Sequence, residues 1–302
     1  MKKAKIVAAV ILVLIFVTVM LAGCGKDSSS QKTKGLSGDV KVLAMNGAGQ
    51  EIAEKLPGDY KTTEIKEYSK MQDKIKNGNF DLAIVSANTA AKMYSKTKKD
   101  IVALSPVTLG GIYVLSNGLY FNDPGITDVR NKTIYVLGDD SAAEYVLGKL
   151  MDDEGLSLTS SVDIVNVDSE AELSQKFLDD SGSMAVMTEP MASRLEKKDN
   201  IRKTLDLSDI WETSGYGEIP TDVLVAEGDF VNEHGDEINT ILSDFGDAVD
   251  EAQGGSASSL VFYDASNRGI SMLKNYMKTM SSYDSASVGG KQPGKAFYYS
   301  EN

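Results

Sequence analysis

The sequence predicts an α/β protein made of two similar lobes, each a mixed, mainly parallel sheet with flanking helices. Three observations carry this. From residue 39 onward short apolar strands alternate with amphipathic helices, the pattern of βαβ units. Residues 81–88 (DLAIVSAN) line up with 183–190 (SMAVMTEP): each is an apolar strand that follows a helix and a polar turn and ends in a hydroxyl residue, Ser86 or Thr188. Residues 42–56 (VLAMNGAGQEIAEKL) line up with 134–150 (IYVLGDDSAAEYVLGKL) as strand, Gly-containing polar loop and helix.

In chain order, 39–45 (DVKVLAM) reads as a strand and 48–56 as a helix; 61–65 alternates weakly. Met71 and Ile75 lie four apart, one face of a helix that ends at Asn77-Gly78. Residues 80–85 (FDLAIV) form a buried strand and 87–94 a short helix, followed by two strands, 101–107 and 112–116. Residues 133–137 (TIYVL) lead into a helix with Ala143, Val146, Leu147, Leu150 and Met151 on one face. A strand at 162–167, a helix around 173–178 and a strand at 184–188 complete a second set. The best amphipathic helix comes late: Ile238, Ile241, Leu242, Phe245, Ala248, Val249 and Ala252 repeat at three and four, which is core packing and carries no chemistry.

The N-terminus predicts location. Lys2, Lys3 and Lys5 precede a 16-residue apolar run, 6–21, broken only by Thr18. Ala22, Gly23 and Cys24 follow, and the chain turns polar at once. Charge, length and small-residue end describe an export signal, and the run is shorter than the roughly 20 residues of a membrane span. Leu21-Ala22-Gly23-Cys24 resembles the bacterial lipobox, which implies cleavage before Cys24, lipidation of its thiol, and anchoring on the extracytoplasmic face of a cell membrane. Removing 1–23 leaves 279 of the 302 residues and takes the net charge from −13 to −16, because the removed piece holds three Lys and no acid. So acidic a body repels phosphate backbones, which argues against a nucleic-acid partner. Cys24 is the only cysteine, so stability rests on a packed core. Residues 25–38 have one apolar member in fourteen and read as a flexible tether with a reach of about 20 Å. The expected organisation is a signal peptide at 1–23, lipidated Cys24 and tether at 24–38, one lobe from 39–108 plus 215–302, and the other from 109–214.

The chemistry-bearing residues point to binding. The one histidine, His234, sits among charged and polar neighbours at a helix start, where an exposed imidazole is expected. There is no G-x-S-x-G elbow, no EF-hand spacing and no HExxH, so no catalytic residue, metal or cofactor is expected. What remains are loops at strand ends, where open α/β sheets hold ligands. Asn46 and Gly47 follow the first strand; Ser86, Asn88 and Thr89 begin the helix after the third; Gly138, Asp139, Asp140 and Ser141 occupy the equivalent loop of the second lobe; Thr188 and Glu189 end its echoed strand. Each set would cap a helix, and its spare hydroxyls and N–H groups could hold a small polar solute. Asp139, Asp140 and Glu189, with no Lys or Arg in these loops, favour a neutral or cationic solute. Tyr113, Trp211 and Tyr216 are available to stack on a flat ring.

The lipobox, the tether and the blocks 78–94, 129–156, 185–195 and 220–242, taken in order, resemble solute-binding lipoproteins of ABC importers, in the subgroup that binds aliphatic sulfonates, taurine, nitrate and thiamine-pyrimidine precursors. The tail 287–302 is similar to the ending of members from Gram-positive anaerobes. The resemblance implies a type II periplasmic-binding-protein fold, two lobes joined by a two-strand hinge, closing on a small-molecule solute and docking on an ABC permease and its ATPase. It sets Asn46, Gly47, Ala48, Ser86, Ala87 and Asn88 on one wall, Gly138 to Ser141 on the other, and Thr188, Glu189 and Pro190 near the second lobe's strand end. The family often has Pro or Gly and then Ser or Thr where this chain has Gly138-Asp139-Asp140-Ser141, which separates the fold expectation from sulfonate specificity. The crossovers are expected near 106–113 and 211–221, and the protein is expected to be a monomer and no enzyme. Two alternatives stand beside this: a lipid-anchored sensor or interaction protein of the same fold, and a pyrimidine-forming enzyme, against which the single, charged-helix histidine argues.

Overall fold

Two five-stranded sheets organise the computed structural model, which describes Leu36 and residues 38–97, 101–138, 141–253, 260–262 and 267–300. The signal peptide, Cys24, nearly all of the tether, Asp139 and Asp140 lie outside the described residues. The first stretch runs β1 (Val40–Met45), α1 (Ala48–Ala53), β2 (Tyr60–Ile65), α2 (Tyr68–Lys76), β3 (Leu82–Ser86), α3 (Ala87–Lys96) and β4 (Ile101–Leu109). The second runs β5 (Ile112–Asn117), β6 (Thr133–Leu137), α4 (Ala142–Asp153), β7 (Asp163–Val167), α5 (Glu170–Asp179), β8 (Met184–Thr188), α6 (Met191–Glu196), β9 (Ile201–Asp206) and α7 (Leu207–Thr213). The chain then returns through β10 (Pro220–Glu227), α8 (Gly228–Glu233), α9 (Ile238–Gln253) and α10 (Asn267–Tyr283).

The strand orders are β2-β1-β3-β10-β4 and β7-β6-β8-β5-β9. β1 pairs parallel with β2 and β3, while β10 is antiparallel to β3 and β4. Four strands of the first sheet therefore run one way and only β10 runs back; in the second sheet β5 plays the same part. The two orders superpose position for position, β1 on β6 and β3 on β8. These are the echoed passages of the sequence, one member of each pair in each sheet.

The reversed strands explain the hinge. Both β5 and β10 begin where the chain has just crossed between sheets, so both start at the carboxyl ends of their parallel neighbours: Ile112 lies opposite Thr188, and Asp222 opposite Ser86. The crossing segments touch. Gly110 donates its N–H to the Ile219 carbonyl at 2.8 Å, and Thr221 Oγ1 donates to the Gly110 carbonyl at 2.7 Å. Gly110 and Gly111 hold φ of +56° and +65°, a left-handed pair that side-chain-bearing residues would strain.

Packing follows the apolar stripes. On α9 the buried residues are Ile238, Ile241, Leu242, Phe245, Ala248, Val249 and Ala252, the seven expected. They cover one face of the first sheet with Ile52, Leu82, Leu104 and Leu224, each such side chain contributing about 1.5–3 kcal/mol. A larger core runs through both sheets. α10, which the sequence reading did not assign, supplies Leu273, Tyr276, Met277 and Met280 to it, and Trp211 and Val146 enter from the second sheet's helices. β9, β10, α7 and α8 are likewise absent from the elements expected from sequence. The tail beyond α10 packs too: Val288 and Phe297 are fully buried, and the Tyr299 N–H reaches the Ala103 carbonyl.

Candidate functional site

A cavity of about 80 Å³ lies at the strand ends, walled by both sheets. From the first sheet come Asn46 after β1, Ser86 ending β3, and Thr221 and Asp222 opening β10. From the second come Leu137 ending β6, Ser141 starting α4, Thr188 ending β8 and Glu170 starting α5. Tyr68, from the first turn of α2, closes the side. The remaining wall is apolar and soft: Met45, Met71, Met187 and Met191 all border it.

Of the residues expected from sequence, Asn46, Gly47, Ser86, Thr89, Ser141 and Thr188 are brought together here. Capping and cavity lining coincide. Ser86 Oγ accepts the Thr89 N–H at 3.1 Å, and Ser141 Oγ accepts that of Glu144 at 3.2 Å. Each cap stabilises its helix by about 1 kcal/mol, and each hydroxyl still borders the cavity.

Other expected residues sit elsewhere. Asn88, in the first turn of α3, is fully buried, its amide donating to the Ser287 carbonyl at 3.0 Å and accepting from Tyr276 Oη at 2.6 Å. Glu189 is bonded to Lys203 at 2.7 Å and to Ser193 Oγ at 2.8 Å, so the strand-end acid is neutralised by a lysine from β9 that lies far away in sequence. Burial opposes its ionisation, but Lys203 and Ser193 outweigh that and hold its carboxyl below the ordinary value. Gly138 borders the adjoining groove beside Asp168 rather than the cavity. The three aromatic residues expected to stack on a ring do not line it. Trp211 is core, packed against Tyr216 and Tyr276 with centroids at 4.7 and 5.9 Å; Tyr216 bonds Lys149 and Asp153; and Lys203 covers the Tyr113 ring. His234 is half-buried rather than exposed, stacked on Phe230 and paired with Glu237, because α8 folds it back onto its own first turn.

Two residues not singled out from the sequence, Asp222 and Glu170, carry the electrostatics. Asp222 belongs to β10, and two irregularities in the β10–β4 register flank it. The second falls where β4 contains Pro106, which has no N–H to give the ladder; bulges of this kind re-aim side chains. Thr108 Oγ1 donates to Asp222 Oδ2 at 3.1 Å, and no cation contacts the carboxylate among the described residues. Burial pushes its pKa up to about 6. Glu170 is also raised by burial, but Arg194 at 2.6 Å opposes the shift.

Glu170 also reaches across the cleft, accepting from Asn46 Nδ2 at 3.0 Å. Asp168 does the same at the first turn of α2, its carbonyl accepting the Tyr68 N–H at 2.8 Å. Tyr68 Oη in turn bonds Ser86 Oγ at 3.1 Å and Thr89 Oγ1 at 2.5 Å. The Tyr68 ring lies flat against Gly138 of the opposite wall; a Cβ there would stand 2.5 Å from the ring. The structure is therefore a closed form, in which the two sheets' loops touch across the cleft. Among the described residues no helix is long and apolar enough to cross a membrane.

No protein-family model matches the chain, and no curated protein matches it by sequence. Solved structures do. The ligand-binding component of an ABC-type import system from Staphylococcus aureus, solved with zinc bound, has a TM-score of 0.65 at 15% identity, over 87% of this chain and 97% of that one. An ABC transporter protein from Parabacteroides distasonis gives 0.61 at 16%, over 87% and 99%. The periplasmic aliphatic sulphonate binding protein SsuA from Escherichia coli gives 0.56 at 14%, over 85% of each chain. These likenesses establish the fold as the type II periplasmic-binding-protein fold expected from the sequence, two lobes joined by two crossovers.

Proposed function

We propose that this chain is the extracytoplasmic solute-binding lipoprotein of an ABC importer, which captures a small neutral or cationic solute between its lobes and delivers it to a permease. One observation carries the reading: a cavity at the strand ends draws its wall from both sheets, next to a hinge of two touching crossovers. Hinge closure over a bound solute is the motion such an arrangement permits. The solved structures of this fold, named as binding components of import systems, support it. Asn46, Gly47, Ser86, Thr89, Ser141 and Thr188 would contact the solute, with Tyr68, Glu170 and Asp222 added. The lobes are assigned as 39–108 with 215–302, and 109–214, in line with sheet membership.

The N-terminal sequence supports the anchor: residues 1–23 would be removed, Cys24 acylated, and 24–38 would tether the body to the membrane. Delivery needs no bond made or broken. Native mass spectrometry of the purified full-length chain tests the binding reading. A retained small molecule, recovered unaltered after denaturation, is the expected result; a protein free of solute that also converts an added candidate into product would overturn it. The anchor is tested apart from binding, since Cys24→Ser should release the protein from the membrane fraction.

A further inference from the structure

The cavity's charges are unbalanced. Among the described residues its wall contains no Lys, Arg or His. Its two carboxylates differ. Glu170 already has Arg194 at 2.6 Å and the Asn46 amide at 3.0 Å. Among the described residues Asp222 has one hydroxyl partner, Thr108, and no positive group. An acid held in a closed cavity without a counter-ion is costly unless something positive joins it. The N-termini of α3 and α4 also meet the cavity, through Ser86 and Ser141. Each presents roughly half a positive charge, and each has spent one N–H on its own cap. Neither by itself offsets a full negative charge, and no N–H of either helix is among the hydrogen-bond partners of the Asp222 carboxylate.

The rest of the wall suits carbon. Met45, Met71, Met187 and Met191 offer polarisable, adaptable thioethers that accommodate alkyl chains and ring edges. Thr188 and Asn46 supply neutral acceptors beside them. The protein's net charge of −13 also raises the local concentration of cations around it.

We propose that the solute is a compact organic monocation, a protonated amine or protonated nitrogen heterocycle, whose N–H is held by the Asp222 carboxylate while its carbon skeleton lies among the four methionines. This rests on the solute-binding reading and deepens it: Asp222 becomes the specificity-determining residue, and simple oxyanions are excluded.

Titration calorimetry on the full-length chain at neutral pH tests it with matched probes: propylammonium against 1-propanol, protonated 4-aminopyridine against aniline, and methanesulfonate as the anion. At least one cation is expected to bind about 10- to 100-fold more tightly than its neutral counterpart, the range for a hydrogen bond to a charged group. The pair that shows the preference identifies which of the two cation types the site takes. Asp222→Asn, which keeps the shape and the Thr108 contact, should abolish the preference by lowering the cation's affinity about 10- to 100-fold. If that variant does not fold, the cation-to-neutral ratio of the unaltered protein decides alone. Methanesulfonate binding in place of the cations, equal binding within both pairs, or a preference that survives Asp222→Asn would overturn the charge assignment and leave the solute-binding reading standing. No binding of any probe, together with no co-purified solute, would overturn both.

Discussion

Asp168 caps a helix that belongs to the opposite lobe: its carboxylate accepts the Ser69 N–H at 2.8 Å and the Ser69 hydroxyl at 2.6 Å. The helix is α2, whose own N-cap residue, Glu67, makes no side-chain cap bond. The N–H groups of Tyr68 and Ser69 in its first turn thus have these protein partners only while the lobes are together. Asp168→Ala should weaken the closed form by about 1–2 kcal/mol, a factor of roughly 5–30 in the closed-to-open ratio. Small-angle scattering of the solute-free protein should show a larger radius of gyration, and solute affinity should fall by up to that factor. An unchanged radius and affinity would show that the cap does not hold the lobes.

Gly138 and Tyr68 form the second cross-lobe contact. Gly138 has φ of +71°, and an added Cβ would meet the Tyr68 ring at 2.5 Å. Gly138→Ala therefore carries a steric and a backbone cost. Solute affinity is expected to drop about tenfold or more. In a Tyr68→Ala background the same change should cost only the backbone part, about 1 kcal/mol. Urea unfolding and calorimetry of the four proteins form a double-mutant cycle; simple additivity would mean the ring is not the obstacle.

Asp222 makes stability depend on pH in a defined direction. Its folded pKa of about 6 lies above the ordinary 3.8. Between these values the native state holds a proton that the unfolded chain has released. This group's contribution to stability therefore falls as pH rises through that window, and the loss is complete above it. A shift of about two units amounts to roughly 3 kcal/mol. Asp222→Asn should match the unaltered protein at the acid end of the window and exceed it by roughly that amount at neutral pH. Urea melts of the solute-free forms at the two pH values check this, and parallel curves would refute it.

Asn88 ties α3 to α10 and to the tail, through Tyr276 and the Ser287 carbonyl. Asn88→Ala leaves a buried hydroxyl and a buried carbonyl without that partner, at about 2–3 kcal/mol. The thermal midpoint should fall accordingly. A loss of solute affinity with the midpoint unchanged would instead return Asn88 to the binding wall.

Much of the fold was legible because its signals are local. The seven buried residues of α9 stand at helical spacing in the sequence, and the echoes of β1 with β6 and of β3 with β8 mark equivalent places in the two sheets. Other elements were harder to read for identifiable reasons. β9 (IRKTLD) is an edge strand with exposed Arg202 and Asp206, so it lacks an apolar run. β10 (PTDVLVAE) opens with Pro and carries Asp222, which reads as a crossover loop rather than a central strand. α10 did offer a signal, Leu273, Tyr276, Met277 and Met280 at three and four, within a Ser-rich tail that diluted it.

By itself the sequence determined the alternation of strand and helix, the doubling of the lobes, the caps at Ser86 and Ser141, and the loops that meet at the cavity. Those follow from periodicity and from which residue types can satisfy a helix end. Only the tertiary structure decided which acids face that cavity. Lys203 neutralises Glu189 from another strand, Arg194 offsets Glu170 from another helix, and Asp222 has no cation partner among the described residues. Charge balance in a closed site depends on which groups lie within a few ångströms through space, and that distance is not written in the spacing of residues along the chain.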